Sequence, residues 1–458
     1  MTQTLWAKNA LLADGWAGSV QIEIDNSGNI ASISTDCDYI SGEKVDVLIP
    51  AIPNVHSHAH QRAMSGLGEK AGQSGDAAQD SFWTWRKTMY HYLERIEPED
   101  LYHISAQLYL EMLKSGYSCV GEFQYLHHDR NGNAYDQRAE MSLQCLTAAQ
   151  QVGLGFTALP VLYRYGGFGS AEPLDGQKRF INEPDTFIEI VQQLQAATKQ
   201  DHNASVGIAP HSLRATSQPL LQSVIDGCED LAAIHIHIAE QTKEVEDCLA
   251  WSRQRPVEWL FNHFEIDSNW CLIHATHMTA EETRQMAKSG CVAGLCPTTE
   301  ANLGDGLFNL IEYQSDNGCW AIGSDSHISI DPVEELRWLE YGMRLQTRHR
   351  NLLSDAQTPN TGQFVLQQAL VGGARACGRN IGRIETGYRA DFLVLDTAHP
   401  RLYGREHDAL IDSWIFSGNE NLVRDVYVGG KVVIRDGHHR DEETIAENYR
   451  ATLDKLAS

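Results

Sequence analysis

The chain has 458 residues, 42% of them hydrophobic and 21% charged, with 61 acidic against 36 basic side chains and a formal net charge of −25. That length is too great for one small domain and suits a large α/β barrel with an appendage, or two to three ordinary domains. The acidic balance argues against a nucleic-acid or anionic-membrane partner, which would be repelled, and no apolar run approaches the roughly 20 residues of a membrane span.

The opening "MTQTLWAKNALLADGW" has neither the basic start nor the apolar run of a signal peptide, so a cytoplasmic location is expected. The 10 cysteines, scattered from Cys37 to Cys377 with no CxxC, then read as buried free thiols. The first 50 residues read as strands and turns: "SVQIEID", "NSGN", "IASIST". Eight short apolar runs follow, each a candidate strand: "LIPAIPNVHSH", "CVGEFQY", "FTALPVLY", "VGIAPHS", "AAIHIHIAE", "WCLIHATH", "VAGLCPTT" and "WAIGSDSH". Helical patterns lie between most of them. Two, "PEDLYHISAQLYLEMLKSG" and "TAEETRQMAKSG", carry acids early and close on Lys-Ser-Gly, as helix ends should. Eight such units predict a (β/α)8 TIM-type barrel over residues 51–383. The last segment, "ADFLVLD", "VRDVYVGG", "KVVIRDG", reads as strands again. Residues 1–50 and 384–458 are therefore expected to build one small β-sandwich together, with a helix at the C-terminal end.

In such a barrel the chemistry sits at the C-terminal ends of the strands, and there the polar residues fall. "HSHAH" puts His56, His58 and His60 at alternate positions, so His56 and His58 can share a face of the first strand. The fifth strand ends "HIHIAE" with His235, His237 and Glu240, the sixth "HATH" with His274 and His277, the eighth "GSDSH" with Asp325. Imidazole and carboxylate converging from separate strands suit a catalytic Zn²⁺ with an open position for water. His235 lies deeper in its strand and reads as a core histidine; His60, His277 and His327 read as loop residues without a role. Anion contacts also stand near strand ends. His211 and Arg214 follow the fourth strand, Tyr125 ends the second, Gln61 follows "HSHAH", and Arg86 lies in the long loop "DSFWTWRKTMYHY". Two separated arginines beside one metal suggest a small-molecule substrate with two carboxylates.

The strand-end pattern HxH, HxxE, His, Asp, with the tail "IGRIETGYRADFLVLD", resembles the amidohydrolase superfamily over nearly the whole chain. The resemblance implies that His56, His58, His237 and Asp325 hold the metal, with Glu240 and His274 as catalytic partners. HxxE resembles the mononuclear branch, so one Zn²⁺ per chain is expected. Glu122 on the second strand is the candidate bridge should there be two. The expected reaction is hydrolytic attack on a C=N carbon with loss of ammonia. Asp325 would accept the water's proton, His274 steady the developing charge, and Glu240 carry the proton to the leaving nitrogen. More narrowly, "HSHAHQRAMSG", "FWTWR", "EFQYLHH", "APHSLRA", "HIHIAEQ" and "CPTTEANLGDG" resemble the N-formimino-L-glutamate iminohydrolase family of histidine degradation. That resemblance implies Gln61, Arg86, Tyr125, His211 and Arg214 as substrate-binding residues. One departure from its wording, Ala51-Ile52-Pro53 before the HxH, is expected to be a local backbone change. A guanine or other nucleobase deaminase shares the metal set and stays open, though a planar base would want stacking aromatics and amides. A non-catalytic barrel assembly protein is the remote alternative. A homodimer is also left open.

Overall fold

The computed structural model describes residues 3–69 and 82–458. Its strands, in chain order, begin with β1 (Gln3–Leu12), β2 (Gly15–Ile24), β3 (Ile30–Ser34) and β4 (Glu43–Pro50). Next come β5 (Ile52–Ser57), β6 (Tyr117–Gln124), β7 (Gly155–Leu162), β8 (Ala204–Val206) and β9 (Ala209–Pro210). They continue with β10 (Ile234–Ile238), β11 (Trp270–His274), β12 (Val292–Leu295) and β13 (Cys319–Ile322), and finish with β14 (Phe392–Leu395), β15 (Val423–Val428) and β16 (Lys431–Ile434).

The two chain ends meet in one sheet of order β16-β15-β14-β4-β1-β2-β3. Alternation along its strands sorts the side chains between two cores. Val20, Ile22 and Ile24 on β2, Phe392 and Val394 on β14, and Tyr427 on β15 join a cluster belonging to the sheet itself. Their alternates Leu393, Leu395, Val426 and Val428 join the main core, which spreads over the barrel. β14 and β15 thus join the sheet to the barrel with every second residue.

β5 to β13 form the barrel. β5-β6-β7-β8 and β10-β11-β12-β13 are parallel arcs, and β9 continues β8 after a two-residue break. Parallel bridges close the ring: Ile208 to Ile234 and Ser212 to His237 on one seam, Ser57 to Asp325 on the other. A smaller cluster that includes Val55, Cys119, Cys271, Ile273, Val292 and Ala321 fills the interior from alternate strand positions. All ten cysteines are free thiols, seven of them buried. No helix of the described residues is long and apolar enough to cross a membrane.

The two helices picked out by their ends lie at Pro98–Ser115 and Ala280–Ser289. Thr279 caps the second, its Oγ1 accepting from the Glu282 N–H at 3.2 Å while the Glu282 carboxylate accepts the Thr279 N–H at 2.8 Å. Such a capping box stabilises a helix by roughly 1 kcal/mol. The run "LIPAIPNVHSH" differs from its reading as one strand. Pro50 and Pro53 have no N–H to continue a ladder, so β4 ends in the outer sheet and β5 begins in the barrel, with Ala51 crossing between them. The Ala51 N–H donates to Asp391 in the outer sheet at 3.1 Å, and the Ile52 N–H to Gly116 at the start of β6 at 3.2 Å.

Candidate active site

The first strand does not deliver its histidines by simple alternation. The pairing of β5 with β6 shifts register between Asn54 and Ser57, a bulge of the kind that re-aims side chains at barrel rims. Within it Val55 fills the barrel interior and the next residue, His56, turns into the mouth, as His58 does after it. His56 Nε2 lies 3.0 Å from His237 Nε2 and 3.5 Å from Asp325 Oδ1, and His58 Nε2 is 3.3 Å from that same oxygen. His56, His58 and His237 form one set of converging ligand atoms, and His56, His274 and Asp325 a second.

The chemistry of the set fits a divalent cation. His58 Nδ1 lies 2.9 Å from the Phe123 carbonyl and His237 Nδ1 3.0 Å from the His211 carbonyl. A carbonyl only accepts, so both Nδ1 atoms carry the proton and both Nε2 atoms present bare lone pairs. Lone pairs facing one another and a carboxylate repel unless a cation lies among them. Burial, reinforced by the neighbouring histidines, keeps the three imidazoles neutral, as ligands must be; His58 is pushed down to about 3.

Glu122 stands outside this set. Its carboxylate accepts from Ser57 Oγ at 2.5 Å and from the Ala59 N–H at 2.7 Å, so it braces the turn after β5 from the other side of the strand. Burial raises it to about 7. We therefore expect metal analysis of the purified protein to find about one ion per chain, with Glu122→Gln leaving the content unchanged. Two tightly held ions, one lost in Glu122→Gln, would restore the bridge.

Glu240, His274 and Asp325 meet at one point. His274 Nε2 is 3.8 Å from Glu240 Oε1 and 3.8 Å from Asp325 Oδ2. Burial opposes the charged form of each. In His274 that penalty is outweighed by Glu240, Glu300 and Asp325, and the imidazole is pushed up to about 10. Burial lifts Asp325 to about 6 and raises Glu240, against the pull of His274 and Arg214. The backbone is strained here: Ala239, His274, Ala275 and Asp325 have φ of 50°, 66°, 46° and 45°. Left-handed non-glycine residues cost about 1–3 kcal/mol each and gather at functional sites.

A cavity opens over the cluster. Its lining includes Gln61, Arg86, Tyr125, His211 and Arg214, together with His58, His237, Glu240, His274 and Asp325; His56 lies fully buried beneath. Arg86 does not stand in a loop. The stretch is helical over Phe82–Leu93, Asp80 and Ser81 lying outside the described residues. Its Nε donates to Tyr90 Oη at 2.5 Å, and the guanidinium sits over the Tyr90 ring. Arg214 follows β9, with Glu244 3.9 Å away. Burial and both arginines hold His211 neutral.

Several residues of the site carry no signal of their own in the sequence. His60, on the short 3-10 helix Ala59–Met64, is buried, and its Nε2 lies 2.9 Å from Tyr125 Oη, which also accepts from Gln61 Nε2 at 3.0 Å. His60 thus orients a residue of the cavity wall. His327 is buried between Ser57 and Ser324. His235 bonds the Ala376 carbonyl at 2.7 Å, below the site. Glu300 reaches His274 Nδ1 at 3.2 Å. Trp85, Tyr90, Tyr163 and Phe180 make much of the wall aromatic. The expected contrast between aromatic and arginine-lined sites therefore does not separate substrates, because this cavity has both.

Residues 47–433 match the Amidohydrolase family. The chain belongs to it. Residues 2–45 of this amidohydrolase match a second family, "Formimidoylglutamate deiminase HutF, N-terminal domain". It is 47% identical to a formimidoylglutamate deiminase of Pseudomonas aeruginosa over 99% of both chains. A 5'-deoxyadenosine deaminase of Methanopyrus kandleri is 23% identical over 95% of each. Among solved structures, an amidohydrolase from Brucella melitensis superposes over all of both chains with a TM-score of 0.94 and 43% identity. An adenosine deaminase from Xanthomonas campestris with bound zinc shares the fold, at a TM-score of 0.79 and 20% identity over 99% of this chain and 98% of its own.

Proposed function

We propose that this amidohydrolase hydrolyses N-formimino-L-glutamate to N-formyl-L-glutamate and ammonia, in histidine degradation, with one zinc ion held by His56, His58, His237 and Asp325. The observation that carries the reading is the placing of Arg86 and Arg214, from separate elements, in the same cavity as the ligand cluster. A substrate with two carboxylates and a terminal amidine uses both arginines and the metal at once. The formimidoylglutamate deiminase that matches the whole chain supports it. The aromatic wall would also suit a planar base, so the deciding assay is ammonia release from N-formimino-L-glutamate, its aspartate analogue and guanine. Faster release from guanine would overturn the substrate while leaving the metal chemistry.

Zinc, when bound, supplies Lewis acidity and brings the ionisation of water toward neutral pH. The side chains do the rest. Asp325 Oδ2, facing His274, is placed to take the proton that the attacking water gives up. His274 Nε2, protonated, donates to the attacking oxygen and orients it toward the C=N carbon, whose π pair moves to the nitrogen as the carbon becomes tetrahedral. Glu240, raised by burial, can hold a proton and hand it to the departing nitrogen, which leaves as ammonia while the carbonyl forms. Tyr125, fixed by His60 and Gln61, and His211 close the wall on the substrate side.

Arg86→Met and Arg214→Met should each lower kcat/KM for N-formimino-L-glutamate by about 10- to 150-fold, the loss of one charge-assisted contact of about 1.5–3 kcal/mol. Metal content should not change. An analogue lacking one carboxylate should suffer less from one of the two changes. Parent rates in both variants would return the arginines to a structural role.

A further inference from the structure

The glutamate of "CPTTEANLGDG", Glu300, has no part in the mechanism above. In the structure Glu300 lies on the helix Pro297–Leu303 just after β12, almost fully buried. One oxygen, Oε1, receives two bonds: from the Cys296 N–H at 2.9 Å and from His274 Nδ1 at 3.2 Å. Its own N–H donates to the Cys296 carbonyl at 2.9 Å, and its carbonyl accepts from the Asp305 N–H at 2.9 Å. The backbone of Glu300 is therefore pinned on both sides, and its Oε1 is already bonded to the Cys296 N–H where it meets the histidine.

His274 needs such an anchor. Cys271 and Ile273 point into the barrel interior, so regular alternation would send residue 274 outward. A turn to φ 66° at His274 and 46° at Ala275 brings the ring back to the mouth. A ring delivered by a turn is not oriented by the pleat. It could present Nε2 to Glu240 and Asp325 with Nδ1 toward β12, or be flipped with carbon atoms in those places. An acceptor beside Nδ1 favours the first arrangement and the Nδ1–H proton.

We propose that Glu300 is a positioning residue that sets the ring flip of His274 by accepting a hydrogen bond from its Nδ1–H, so that Nε2 faces the reacting atoms. The proposal takes His274 as the reacting group of the proposed function. Glu300→Leu removes the acceptor at similar volume and Glu300→Gln keeps an oxygen able to take both bonds. With N-formimino-L-glutamate and metal-loaded protein, Glu300→Leu should lower kcat by about 10- to 100-fold with KM unchanged, and Glu300→Gln should recover most of it. In a His274→Asn background Glu300→Leu should cost nothing more, since its route of action is already gone. Nitrogen NMR of the histidine rings should show the His274 Nδ1–H signal, hydrogen-bonded in the parent, shift as that bond is lost in Glu300→Leu. Losses that multiply in the double variant, a Gln variant as poor as Leu, or an unmoved ring signal would each overturn the proposal. Should the parent release no ammonia from this substrate, the functional reading falls, and the ring signal still decides the part played by Glu300. If Glu300→Leu does not fold, Glu300→Gln and its double variant with His274→Asn carry the same test.

Discussion

Glu240→Gln and His274→Asn are each expected to reduce kcat by about 10²-fold or more while leaving the metal in place. Both act on proton transfer, which contributes roughly 10²–10⁴-fold where a positioned group supplies it. Their geometry is shared: Glu240 Oε1 and Asp325 Oδ2 lie at equal 3.8 Å distances from His274 Nε2, on the floor of the cavity. Glutamine keeps the shape of Glu240 but cannot carry a proton. Asparagine at 274 loses the donor that faces both carboxylates. Because the two residues serve one step, the double variant should lose far less than the product of the single losses. Rates together with metal analysis check this. Loss of metal in one variant and not the other would make that residue a ligand, a role open to His274 through the set it forms with His56 and Asp325.

Stripping the metal with a chelator is expected to abolish turnover and also to lower Tm. The second effect follows from the ligand set: without a cation, His56 Nε2 and His237 Nε2 face each other at 3.0 Å beside the Asp325 carboxylate, all in the barrel mouth. A ligand that binds only the folded chain stabilises it by about 2.7 kcal/mol at 100 times its Kd. Zinc at that excess should restore both the melting point and the activity, and calcium, which prefers oxygen ligands, should restore neither. A chelated protein that keeps its rate would overturn the metal-dependent mechanism outright.

The sequence determined the barrel and the outer sheet through periodicity. Val20, Ile22 and Ile24, or Phe392 and Val394, are spaced for a strand whose alternate side chains enter one core, and Lys-Ser-Gly closes helices whose first turns are acidic. His56, His58, His237 and Asp325 were legible because they end strands, and a barrel gathers strand ends at one rim. Long-range placement was not legible, since nothing in a local window encodes it. The break at Ala51 that divides β4 from β5, the bulge that turns His56 and His58 inward, and the positive φ that swings His274 against the alternation of β11 all arise where neighbouring strands compel a departure from the regular period. The partners of the site follow the same logic. His60 read as a loop histidine until Tyr125 stood 2.9 Å away, and Glu300 was one acid among 61 until the turn after β11 brought His274 to it. Composition and spacing decide which side chains are available; only the closed ring of strands decides which of them face one another, because that contact joins residues from distant parts of the chain.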